Sequence, residues 1–151
     1  MLADDLPYDI QLGSDGLHVG GTGQRIDFGR AEAGAVAAVS KVLGAQPESR
    51  ATNGECGAGP VTTVSWDAGI DLLFQQGTLR GWASDSQIFI TTNGYSAGMS
   101  RAQLRAAGVV DFEQTTLGTE FDLGGIYGLL LDPGETAQVD LLWAGVSCFF
   151  R

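Results

Sequence analysis

The chain has 151 residues, of which 44% are hydrophobic and 17% charged, a size and composition that fit one globular domain and exclude a disordered chain. Eighteen acidic residues against eight basic ones give a formal charge of −10, a field that repels nucleic-acid backbones and anionic lipids. No apolar run approaches the roughly 18 residues of a membrane span, so neither nucleic acid nor a transmembrane segment is expected.

Met1 to Asp5 lack the basic and apolar regions of a secretory signal, and read as a mature start behind a signal already removed. Strand candidates at Tyr8–Leu12 and Leu17–Val19 flank the turn Gly13-Ser14-Asp15-Gly16. His18, between Leu17 and Val19, reads as a partly buried structural residue rather than a base. Gly20-Gly21-Thr22-Gly23 is a loop; Ile26 stands where a dinucleotide fingerprint needs its third glycine, and no Gly-Lys-Ser/Thr follows. A helix is predicted over Arg30–Leu43, with Ala35, Val36, Val39, Val42 and Leu43 on one face. Gly44 and Pro47 end it.

The segment through Asn53-Gly54-Glu55-Cys56-Gly57 reads as a loop. Three strands follow at Val61–Trp66, Ile70–Phe74 and Thr78–Ala83, with Gln76-Gly77 as a hairpin turn, and a fourth at Gln87–Thr91. Ser100 and Gln103 form a capping box, with Met99 and Leu104 as the hydrophobic staple of a short helix ending by Gly108. Strands are then expected at Phe112–Leu117, Thr119–Leu123, Ile126–Leu131, Val139–Trp143 and Val146–Phe150, with Asp132-Pro133-Gly134-Glu135 as a turn. Trp66 and Trp143 share strand faces with apolar neighbours and are expected in the core.

Two short segments recur in order. Phe28 to Ala33 matches Met99 to Leu104, and Phe74 to Trp82 matches Phe121 to Leu129. The expectation is a single α+β domain over residues 1–151 made of two tandem helix-plus-antiparallel-hairpin repeats, about residues 20–92 and 93–151, with the helices packed on one face of an antiparallel sheet.

Gly98-Met99-Ser100-Arg101-Ala102-Gln103-Leu104 resembles the helix start of the small lipoprotein of the outer-membrane barrel-assembly machinery, and Leu43-Gly44-Ala45-Gln46-Pro47 its helix end. That group is similar in fold to the β-lactamase-inhibitory protein, a tandem duplication of helices on an antiparallel sheet. The resemblance implies that fold and a non-enzymatic, protein-binding character; no cysteine near the N-terminus matches the group's lipid attachment site.

For chemistry the chain offers little. One histidine and two distant cysteines do not make a zinc site, no catalytic triad is in view, and no metal or cofactor is expected. Carboxylate pairs such as Asp67 with Asp71, or Asp122 with Asp132, would suit a carboxylate-based hydrolase, but read first as solvated turn residues. Ser14-Asp15-Gly16 and Ser84-Asp85-Ser86 lack calcium-loop spacing. Cys56 and Cys148 are expected to form a disulfide, stabilising by about 4 to 5 kcal/mol. If Leu79 and Ile126 face the helices, strand alternation places Arg80, Trp82 and Tyr127, the residue types that dominate binding hot spots, together on an open sheet face; the competing reading is that this face is covered too and Trp82 belongs to the core. The functional expectation is a non-enzymatic, soluble periplasmic or secreted protein that binds a protein partner, favouring a basic one, through that face. A small-ligand-binding module, favoured by a deep cavity near Trp82, is the alternative.

Overall fold

Glycines and caps decide where the elements stop. The structure, a computed structural model, describes residues 9–19, 24–57, 59–109, 111–132 and 134–148. Tyr8, the Gly20–Gly23 loop, Pro133 of the predicted turn and the Phe149–Phe150 end of the last predicted strand lie outside the described residues. In chain order the elements are β1 (Ile10–Gly13), β2 (Gly16–Val19), β3 (Gln24–Asp27), α1 (Glu32–Leu43), β4 (Ser49–Asn53), β5 (Val61–Trp66), β6 (Ile70–Gln75) and β7 (Thr78–Ser84). Then come β8 (Ile90–Thr91), α2 (Arg101–Ala106), β9 (Phe112–Gln114), β10 (Thr119–Asp122), β11 (Ile126–Leu130) and β12 (Leu141–Gly145).

α1 buries Ala35, Val39, Ser40 and Leu43, and Gly44 ends it at φ 66°, with its amide on the Ser40 carbonyl. Only a residue without a Cβ adopts that left-handed backbone cheaply. α2 starts on its capping box: the Gln103 amide donates to Ser100 Oγ at 3.1 Å and the Ser100 amide to Gln103 Oε1 at 2.8 Å. Leu104 then anchors it in the core.

The strands form two sheets. The smaller has the order β3-β2-β1-β8, with β1 and β8 parallel and the other pairs antiparallel. The larger is antiparallel, in the order β4-β5-β6-β7-β12-β11-β10-β9. It consists of two four-strand meanders, β4 to β7 and β9 to β12, whose last strands pair in the middle through Trp82 opposite Ala144 and Ala83 opposite Trp143.

One apolar cluster unites Ile10, Leu12, Leu17 and Ile26 of the small sheet, Val39 of α1, Leu104 of α2 and Leu72, Trp82 and Leu142 of the large sheet. The inner face of the large sheet is thus covered by the small sheet and both helices. Burying that surface is the main favourable contribution to folding. Trp66 is buried in this cluster as expected, whereas Trp143, also buried, lies outside it.

This architecture corrects the predicted fold class. Two short helices against twelve strands make the described chain predominantly β rather than α+β, and the second sheet has no place in a helix-plus-hairpin repeat. The matched hairpins also occupy different places: β6–β7 are the third and fourth strands of their meander, whereas β10–β11 are the second and third of theirs. The resemblance to the barrel-assembly lipoprotein and the β-lactamase-inhibitory protein falls with that correction, because it rested on helix-end chemistry that any well-capped helix shares.

Candidate functional site

A bulge dissolves the predicted three-residue face. Along the β6–β7 pair, Leu72 lies opposite Trp82 and Leu73 opposite Gly81, but Phe74 lies opposite Leu79, so Arg80 is an extra residue on β7. One inserted residue reverses the parity of everything beyond it. Leu79 and Trp82 therefore face inward together, and Trp82 is fully buried with its indole N–H donating to the Gly13 carbonyl at 2.7 Å. That bond ties the large sheet to the end of β1.

Arg80 is exposed, its Nε donating to Thr78 Oγ1 at 3.2 Å. Tyr127, 37% exposed, stacks on Trp143 with ring centroids 5.9 Å apart. β12 separates their strands, and Tyr127 is level with Ala83 through Trp143, well along β7 from Arg80. Arg80, Trp82 and Tyr127 do not form one surface.

The outer face holds the predicted disulfide. Cys56 and Cys148 are bonded, with their Cα atoms 5.0 Å apart, and the bridge packs with Val61, Leu73, Ala83 and Val146 in a second, smaller apolar cluster. Residues 146–148 run past the end of β12 as a strap rather than a strand. Beneath it lies a cavity of about 180 Å³, lined by Leu73, Ala83, Leu141, Trp143, Val146 and Cys148, and reaching Trp82 and Asp71. Asp71 also lines an adjoining cleft of about 290 Å³ with Asp67, Asp85 and Glu48. Burial pushes the Asp71 carboxyl above its ordinary value, a hydrogen bond with Ser65 opposes the shift, and the nearby Asp85 charge adds to it.

The predicted pair Asp67 and Asp71 thus shares one cleft. Asp122 instead accepts the Gly125 amide in the β10–β11 turn, at the other end of that hairpin from Asp132. His18 is half-buried between Gln11 and Arg25 in the small sheet. Among the described residues no three histidine, cysteine or acidic side chains cluster as a metal site would need.

A third feature was not anticipated. β4 is an edge of the large sheet, paired only with β5, and all five of its residues are exposed. Between it and α1 runs a groove of about 810 Å³, with Ala33, Val36, Ala37 and Val64 on its apolar walls and Lys41 and Glu48 among its polar ones. Arg50 reaches from β4 to Glu32 of α1 through Nε at 2.7 Å and Nη2 at 3.2 Å. Ser-Arg-Ala-Thr-Asn carries no alternating apolar signal, so the strand was invisible in the sequence.

No family model and no curated protein matches the chain. A solved structure does. The fold is similar to that of the uncharacterized protein YfeY from Escherichia coli, with a TM-score of 0.61 over 90% of this chain and 99% of that one, at 9% sequence identity. At that identity the likeness shows a shared fold alone.

Proposed function

We propose that the protein acts by binding, without catalysis, and that its docking surface is the β4 edge with the groove against α1. The observation that carries this reading is the fully exposed edge strand beside an open groove of about 810 Å³. A strand edge is a row of unpaired amides and carbonyls, which another extended segment satisfies by adding a strand. Val36, Ala37 and Val64 offer apolar walls for alternate side chains of such a segment. Arg50, the one charge on β4, is drawn towards Glu32 on the helix, which weakens its protection of the edge. The partner in this reading is a protein presenting an extended stretch.

The Cys56–Cys148 bridge supports a periplasmic or secreted setting, since disulfides persist where the surroundings are oxidising. No described helix is long and apolar enough to cross a membrane.

A photo-crosslinking side chain at position 51, compared with one at the exposed Thr92, tests the reading in cells that make the protein. Adducts specific to position 51, lost when Val36→Glu places a charge in the groove, are expected. Equal adduct yields at the two positions would sink it.

A further inference from the structure

We infer that the trough beneath the C-terminal strap binds a small organic cation: a protonated amine carrying an apolar group of about benzene's size. The site is separate from the β4 groove and stands on the shape of the outer face. Its two chambers adjoin, sharing Asp71 and Leu141. The inner one, walled mainly by Leu73, Ala83, Trp143, Val146 and Cys148, with Thr63 and Ser147 also on its lining, measures about 180 Å³; a cavity of roughly 150 Å³ lined by apolar side chains accepts benzene. The other is rimmed by Glu48, Asp67 and Asp85.

Asp71 stands at the junction, opposite Ser65 on one neighbouring strand and Ala83 on the other. A half-buried carboxylate has lost part of its hydration, and an ammonium group beside it restores the missing stabilisation through a charge-assisted hydrogen bond. Burial already disfavours the Asp71 charge, so a cation gains more there than beside a fully hydrated carboxylate. An anion meets four carboxylates, and a neutral ligand gains the apolar contribution alone. The disulfide holds the strap against the apolar chamber, since Cys148 belongs to both.

Benzylamine, benzyl alcohol and benzoate, titrated separately into the oxidised protein at neutral pH and followed by NMR, form the test. Benzylamine is expected to bind at least about tenfold more tightly than benzyl alcohol, with the largest shifts at Leu73, Ala83 and the Trp143 indole, and benzoate is expected not to bind. Asp71→Asn should bring the amine and the alcohol to within about twofold of each other, while Asp15→Asn, on the distant small sheet, should leave the preference intact. Equal affinities of amine and alcohol for the native protein, shifts centred elsewhere, or no benzylamine binding would each overturn the inference, whether or not the variant folds.

Discussion

The two faces of the large sheet are held by different means. The inner face puts Trp66, Ile70, Leu72, Trp82, Leu142 and Ala144, each at most 2% exposed, against a second sheet and two helices. The outer face has a small apolar cluster, a covalent strap, a half-buried carboxyl and two cavities. Packing, with the indole bonds of Trp82 to Gly13 and of Trp66 to Ser40, secures the first, whereas the second is left partly open and held by a disulfide. What is dispensable for packing is available for binding.

The contrast can be broken most forcefully at its inner side. Trp82→Ala removes a fully buried indole and its bond to Gly13 and should cost about 3 to 5 kcal/mol in urea unfolding. Tyr127→Ala, on the outer side, should cost under about 1 kcal/mol; similar losses for both would erase the distinction. Replacing both Cys56 and Cys148 by serine should destabilise by roughly 2 to 5 kcal/mol, with the amide-exchange losses concentrated around Leu73 and Ala83 rather than in the small sheet. Gly128→Ala places a Cβ into the Phe121 ring, and such overpacking should cost about 1 to 3 kcal/mol, whereas Gly134→Ala, with nothing near its Cβ, should be tolerated.

The smallest expected effect is a pH dependence. Because burial raises the folded-state value of Asp71 above its ordinary 3.8, its carboxyl contributes most stability below that value and loses it as pH rises through the raised one. Asp71→Asn escapes this loss. Its stability relative to the native protein should therefore climb as the pH rises above the ordinary carboxylate value; unfolding midpoints that track each other as the pH rises would show that Asp71 ionises without cost.

Much of the inner face was legible because its strands alternate. Val61–Trp66 was read with its observed ends, and the hairpins around Gln76-Gly77 and Gly124-Gly125 carry turn residues that announce themselves. The Ser100–Gln103 capping box was equally readable, since cap chemistry is local. β3 and β4 were missed for a shared reason: Gln-Arg-Ile-Asp and Ser-Arg-Ala-Thr-Asn lie at sheet edges, where little is buried and no periodicity is written. The small sheet went unseen with them, because pairing between Ile10–Gly13 and Ile90–Thr91 is long-range. The grouping of Trp82 with Arg80 on one face was a failure of parity: nothing in Thr-Leu-Arg-Gly-Trp distinguishes a regular strand from one with a bulge at Arg80, and the fit to β6 decides it. As for the candidate sites, Asp67 and Asp71 were visible as a pair and the disulfide as two cysteines, but the strap that lines the cavity at Asp71 has no sequence signature.

The central β7–β12 pairing bears on how the chain is made. β12 is the last of the described strands in chain order, yet it sits in the middle of the large sheet and joins one meander to the other. On a ribosome the first meander emerges long before its neighbour, leaving β7, with Leu79 and Trp82, as an open apolar edge while more than fifty further residues are added. Late closure of long-range strand pairs is slow and leaves unfinished chains prone to aggregation. Truncations that stop before Leu141 should therefore be found with chaperones or in inclusion bodies.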